Sequence, residues 1–309
     1  MKILVKHHTS NTYRANSHKP IDFSNGLKYK DFTDEIRSYF VDKSFREREQ
    51  MKLVILCGGL GTRLREETEF RPKPMVTIGN RPILWHIMKI YAHYGYTDFV
   101  LALGYKGEMI KQYFCHYEMM NNDVTIELGQ PEKICIHQCH DEMGWRITLA
   151  DTGEKALKGA RLKKVEKYID GDTFMVTYGD GLANVDINEL IDFHKCHGKL
   201  ATLTGISPAS RFGELKIKGN QVESFSEKPT DTDGLINGGF FVFNRGFFDY
   251  LTSDDQCDLE IGALERVANE GQLMVFKHLG FWTCMDNVRD MDYLNRLWSE
   301  GNAEWKVWA

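Results

Sequence analysis

No run of about eighteen apolar residues occurs anywhere in the 309-residue chain, which excludes a transmembrane helix of ordinary length. The N-terminus has His7, His8 and a polar stretch where a secretory signal would need an apolar core, so the protein is expected in the cytoplasm, away from membranes. Excess positive charge is missing too. Lys and Arg number 39 against 44 Asp and Glu, a net charge of -5, which argues against nucleic acid as the main partner and favours a small ligand. The cysteine count is seven, an odd number in a long chain, and reads as reduced thiols, not a disulfide framework. Cys135, His137 and Cys139 would share one face of a strand, yet no second ligand pair follows at zinc-finger spacing, so no zinc site is read there. There is no hexapeptide repeat, which excludes a left-handed β-helix, and no Ser/His/Asp set in a recognisable spacing.

The stretch Leu53-Val54-Ile55-Leu56-Cys57-Gly58-Gly59-Leu60-Gly61-Thr62-Arg63-Leu64 stands out against these absences. Apolar, largely β-branched residues predict a buried strand, and the glycines after it let backbone N–H groups approach an anion with no Cβ in the way. Arg63 adds a fork of donors for phosphate oxygens and Thr62 a hydroxyl. A Walker loop needs Gly-Lys-Ser/Thr and a dinucleotide fingerprint needs a third small residue where Leu64 stands, so the loop is neither. In Arg71-Pro72-Lys73-Pro74-Met75, two prolines stiffen the chain around a lysine. From the residues alone, the glycine loop also suits a tight turn without a ligand, and Lys73 an exposed cation.

Residues 1–50 differ from the rest: polar, basic-leaning, with a short helix near Asp34 to Phe40 and a charged end at Arg46-Glu47-Arg48-Glu49. They are expected to be a weakly folded extension or the product of an upstream start codon; the alternative is an arm that contacts a neighbouring subunit. From Met51 onward strands and helices alternate, which predicts a mainly parallel sheet. Helices are predicted from Pro82 (with Ile83, Leu84, Ile87, Met88 and Tyr91 as the apolar stripe), up to Tyr117, over Ile187–Cys196, Leu259–Asn269 and Val288–Trp298, the last ended by Gly301. Strands are predicted at Phe99–Leu103, Phe174–Thr177, Leu200–Gly205, Glu214–Ile217 and Leu273–Lys277, and hairpin-like ones at Val124–Leu128, Lys133–Cys139 and Arg146–Leu149 that would make the sheet mixed. Trp85 and His86 read as core residues. Ligands of open α/β sheets bind beyond the carboxyl ends of strands, which puts Asp180 of Tyr178-Gly179-Asp180-Gly181 where a metal ligand is useful.

Gly58-Gly59-Leu60-Gly61-Thr62-Arg63-Leu64 with Pro72-Lys73-Pro74-Met75 resembles the opening of the sugar-phosphate nucleotidyltransferases. Pro82-Ile83-Leu84-Trp85-His86-Ile87-Met88-Lys89 narrows the resemblance to the cytidylyl-transferring members. Further matches follow in order: Gly104-Tyr105-Lys106-Gly107, Asp151-Thr152-Gly153, Thr177 to Gly181, Arg211-Phe212-Gly213, Glu227-Lys228-Pro229, Asn237-Gly238-Gly239-Phe240, and Met285-Asp286 with Arg289-Asp290. The resemblance runs from Met51 to the C-terminus. It implies a three-layer α/β domain over 51–309 with a mainly parallel, mixed sheet, the Rossmann-like, glycosyltransferase A-like nucleotidyltransferase fold, and a homo-oligomer. It also implies CTP and glucose 1-phosphate as substrates and Mg²⁺ as cofactor, held by Asp180 and Asp286. Leu56, Gly58, Gly59, Gly61, Thr62, Arg63, Lys73 and Arg161 would contact the nucleotide, with Arg63 and Lys73 catalytic, and Arg211, Glu227, Lys228 and Asn237 would contact the sugar. Relatives that use UTP or dTTP, a non-catalytic regulatory homologue and a metal-dependent glycosyltransferase remain alternatives, although the last lacks an Asp-x-Asp pair after the Phe174 strand. Two departures from the family pattern are Cys57, where alanine is usual, and Ala209-Ser210 before Arg211, which bears on sugar selectivity.

Overall fold

The computed structural model describes residues 12–13, 21–22, 51–128, 134–137, 140–207, 214–218, 221–226 and 234–309. The chain divides into two units, Met1–Arg48 and Glu49–Ala309. In the first, Thr12–Tyr13 pairs antiparallel with Ile21–Asp22; the helix expected near Asp34 lies outside the described residues, as do Arg211, Glu227 and Lys228.

The larger unit is built on seven strands: β1 (Leu53–Cys57), β2 (Asp98–Leu103), β3 (Arg146–Asp151), β4 (Thr173–Tyr178), β5 (Ala201–Ile206), β6 (Ile236–Asn244) and β7 (Leu273–His278). Their order across the sheet is β7-β5-β6-β4-β1-β2-β3. All neighbouring pairs are parallel except the two made by β6, which is antiparallel to both β4 and β5. The mixed character therefore comes from β6. Arg146–Leu149, expected to be hairpin-like, instead forms part of the parallel edge strand β3 against β2. Only Asp123–Ile126 and Ile134–His137 form the hairpin, paired with each other and outside the main sheet.

Every β1 residue is buried, and alternation sends the side chains to two cores. Leu53, Ile55 and Cys57 join one apolar cluster, and Val54 and Leu56 join the other. Phe240 and Val242 of β6 divide from Phe241 and Phe243 in the same way. This is the expected three-layer arrangement. On one face lie α1 (Ile83–His93), which starts just after Pro82 as its N-cap, and α2 (Ile187–His197). Asp186 caps α2 by accepting from the Glu189 N–H at 3.0 Å, and Gly198 ends it in the left-handed region. The last helix, α3 (Val288–Ser299), opens on a capping box between Asn287 and Asp290.

Helix α1 is buried on more than one stripe: Trp85 and His86 are covered as well. The C-terminal tail accounts for this. Trp305 is fully buried between Phe281 and Trp298, its indole N–H donating to His86 Nδ1 at 3.4 Å, and Trp308 packs edge-on against Trp85. The tail thus closes the core of its own domain.

Asn237-Gly238-Gly239 lies inside β6, a nine-residue strand not among those expected from the sequence. Its glycines are demanded by close neighbours, not by a turn: a Cβ on Gly239, at φ +81°, would sit 2.6 Å from the Tyr178 ring. The helix expected over Leu259–Asn269 is broken at Ile261 and Gly262, which leave helical geometry before it resumes at Glu265.

Candidate active site

Strand order reverses where β4 lies beside β1, and the loops leaving the carboxyl ends of those two strands border one crevice. One loop is the glycine stretch after Cys57; the other is Gly179-Asp180. Gly61 turns the first loop at φ +63°, and its carbonyl accepts from the Leu64 N–H at 2.9 Å and lies 3.0 Å from the Thr68 hydroxyl. A Cβ on Gly61 would stand 2.6 Å from the Thr68 methyl, so only glycine suits the position. Leu56 and Gly58 are buried, while Gly59, Thr62 and Arg63 are exposed. The tip, not the base, of the loop is open to a ligand.

Asp180 and Asp286 lie far apart in sequence and meet because Gly181–Ala183 pairs antiparallel with Trp282–Cys284, with Gly181 opposite Cys284. The Asp286 N–H donates to Asp290 of the α3 capping box at 3.0 Å, which fixes the backbone at that point. Lys73, in the proline-stiffened turn, places its ammonium between the two carboxylates, 2.6 Å from Asp180 Oδ2 and 2.8 Å from Asp286 Oδ1. Arg63 donates to the other Asp286 oxygen at 2.8 Å. Burial works against charge on Lys73, yet Asp180 and Asp286 outweigh it and raise its pKa above the ordinary lysine value. Burial likewise opposes ionisation of Asp286, and the Lys73 and Arg63 cations prevail, holding it below the usual carboxylate range. Both groups are charged at neutral pH. The Lys73 side chain is 11% exposed and that of Arg63 74%, so the lysine lies in the floor of the crevice and the arginine at its open rim.

Two thiols border this cluster. Burial pushes the Cys57 thiol far up, and it behaves as a small apolar residue. Burial and the two aspartates push Cys284 up to about 12, so it remains a thiol and donates to Asp286 Oδ2 at 3.5 Å.

Arg161 borders the same cleft, but its guanidinium is spent on protein oxygens. One terminal nitrogen lies 3.1 Å from the Leu103 carbonyl, 2.8 Å from Thr152 Oγ1 and 2.7 Å from the Gly153 carbonyl; the other lies 2.9 Å from Gly58 O and 3.0 Å from Glu154 O. A Cβ on Gly58 or Gly104 would collide with it at 2.1 and 2.3 Å. Arg161 therefore braces the loops that follow β1, β2 and β3.

The cleft has a volume of about 510 Å³. Asn237 lines its other side with Tyr178, Lys158 and Trp282. Asn237 Nδ2 donates to the Tyr178 hydroxyl at 3.0 Å, and the Trp282 indole donates to the Gly238 carbonyl at 2.7 Å. Sequence reasoning assigned no role to Tyr178 or Lys158; Tyr178 was visible only as a member of the Tyr-Gly-Asp-Gly motif. Among the described residues no three acidic, His or Cys side chains converge as a metal cage. The fitting donors for a hard divalent cation are the two carboxylates around Lys73 Nζ, which stands where a cation belongs. No helix of the described residues is long and apolar enough to cross a membrane.

Residues 52–283 match the family model described as nucleotidyl transferase. The glucose-1-phosphate cytidylyltransferase of Salmonella typhimurium is 50% identical over 259 residues, 84% of this chain and 100% of the relative. The probable glucose-1-phosphate cytidylyltransferase of Bacillus subtilis is 46% identical over 266 residues, again 84% of this chain and 100% of the relative. In fold, the solved structure of the inositol-1-phosphate CTP transferase from T. maritima superimposes with a TM-score of 0.55 at 16% identity, covering 84% of this chain and 97% of that one.

Proposed function

The chain belongs to the nucleotidyl transferase family, and from that premise we propose that it transfers a cytidylyl group from CTP to glucose 1-phosphate, forming CDP-glucose and pyrophosphate. The observation that carries this reading is the convergence of Lys73, Asp180, Asp286 and Arg63 beside the glycine loop, in a chain half identical to a relative named for that activity. The non-catalytic alternative is disfavoured because the whole charged set is present and brought together. Residues 51–309 are assigned as the catalytic unit, since 84% of the chain covers the relatives completely.

In this reaction a phosphate oxygen of glucose 1-phosphate bonds to the α-phosphorus of CTP, and the bond to pyrophosphate breaks. The nucleophile, with a second phosphate pKa of about 6, is already a dianion at neutral pH, so no general base is needed. What has to be overcome is repulsion between anions and charge building on the leaving group. The exposed glycine tip and Arg63 hold the triphosphate. Lys73, buried and kept charged, neutralises charge at the reacting phosphates. Asp180 and Asp286 would hold Mg²⁺, a hard ion suited to a site with few carboxylates. When bound, that ion supplies further charge neutralisation at the phosphates.

The test is the product itself. Purified protein given CTP, glucose 1-phosphate and Mg²⁺ should yield CDP-glucose by mass spectrometry; no nucleotide sugar from any nucleotide tried would overturn the reading.

A further inference from the structure

Between Asn237 and Lys158 runs a chain of hydrogen bonds whose direction is fixed at both ends. The Gly239 backbone N–H can only donate, and it meets Asn237 Oδ1 at 2.9 Å. This sets the amide orientation of Asn237, so Nδ2 faces Tyr178 and donates to its hydroxyl at 3.0 Å. The hydroxyl must then give its own proton elsewhere, and it does so to Glu260 Oε1 at 2.5 Å. Lys158 pairs with the same carboxylate oxygen and lies over the Tyr178 ring, 5.2 Å from its centre. Asp258 in turn receives the Glu260 N–H at 2.9 Å, and this anchors Glu260 beside the helix break at Ile261 and Gly262.

We propose that Tyr178 and Glu260 are positioning residues that hold the Asn237 amide, already oriented by the Gly239 N–H, where its remaining N–H donor meets the sugar 1-phosphate. The proposal rests on the assignment of Asn237 to the sugar side of the site. The donor is matched by an acceptor oxygen on the ligand, and an amide that drifts out of place leaves that oxygen unpaired after desolvation. Without Tyr178 the amide would keep only the Gly239 contact. Glu260 acts through Tyr178: its Oε1 meets both the Tyr178 hydroxyl and the Lys158 ammonium, so it serves as an acceptor fixed in one direction. The Lys158 side chain is 43% exposed, and its pairing with Glu260 adds little.

The experiment measures calorimetric binding of glucose 1-phosphate and of CTP, separately, to the full chain and to three variants. Tyr178→Phe keeps the ring and should weaken glucose 1-phosphate about tenfold while leaving CTP within about twofold. Glu260→Gln retains an acceptor for Tyr178 and should remain within about threefold of wild type, whereas Glu260→Leu should match Tyr178→Phe. The double variant Tyr178→Phe with Glu260→Leu should be no worse than either single change, as expected when two residues act in one chain. Unchanged glucose 1-phosphate binding in Tyr178→Phe, equal weakening of both ligands, or additive losses in the double variant would each overturn the relay while leaving the transfer activity standing. If the wild-type chain binds no glucose 1-phosphate, the relay falls, while product formation alone decides the proposed function.

Discussion

Replacing Arg161 by lysine keeps the charge and removes the fork, and it separates a brace from a simple phosphate contact. The guanidinium makes five contacts through two nitrogens, reaching oxygens in the loops after three strands. A lysine ammonium carries three donors on one atom and cannot span both sides. At least two contacts are lost, and hydrogen bonds from a charged donor contribute about 1.5 kcal/mol or more each, so the loss is about 3 kcal/mol. For a domain of this size that corresponds to a fall in Tm of roughly 6 to 12 °C. The glycine loop should also loosen, because Gly58 and Gly104 close directly onto the guanidinium. Differential scanning calorimetry gives Tm, and steady-state kinetics give KM for CTP; Arg161→Lys is expected to lower the first and raise the second. An unchanged Tm with a raised KM would refute the bracing role and make Arg161 a ligand-contacting cation.

Asp180→Asn and Asp286→Asn each remove charge without bulk and should lower kcat by at least ~10²-fold, on the order of 3 kcal/mol of transition-state stabilisation; Mg²⁺-dependent turnover near wild type in either variant would remove that residue from the proposed metal pair. His86 gives a pH prediction for stability. Burial pushes its pKa from 6.5 down to about 4, with Nε2 donating to the Ile78 carbonyl at 3.0 Å and Nδ1 accepting from Trp305. The unfolded chain therefore binds the proton more tightly, and this contribution is complete above pH 6.5 and lost as pH falls toward 4, by about 3 kcal/mol in all. Denaturant titrations at pH 7 and pH 4.5 should show it, and His86→Gln should flatten the difference; an equal acid loss in that variant would contradict the assignment.

The glycine loop, Lys73 and Asp180 were legible because each sits at the end of a strongly apolar strand or between prolines, where local pattern alone fixes the conformation. The Asp180–Asp286 pairing was accessible only through resemblance, since the short ladder from Gly181 to Ala183 and from Trp282 to Cys284 is a long-range contact with no periodic signature. Strand β6 was not foreseen because Asn-Gly-Gly carries a turn signal that tertiary contacts override: Tyr178 and Thr204 press against the glycines from β4 and β5. The bracing by Arg161 and the Tyr178–Glu260 chain were hidden for the same reason, their partners lying on elements that meet only in the folded sheet. The C-terminal tail finds its place only in the fold, where Trp305 packs into the core under α1.

The choice of base bears most directly on the proposed activity. Cytosine carries an amino donor where uracil and thymine carry a carbonyl acceptor, and β1 and β2 are adjacent, so the loops after them bring backbone carbonyls to the same end of the sheet. Acceptors there would pair with CTP and leave UTP and dTTP with unpaired oxygens, each costing about 1 to 3 kcal/mol. The measurement is kcat/KM for CTP, UTP and dTTP with glucose 1-phosphate and Mg²⁺, followed by pyrophosphate release. A preference for CTP of ~10-fold or more is expected; equal use of UTP would contradict cytidylyl transfer.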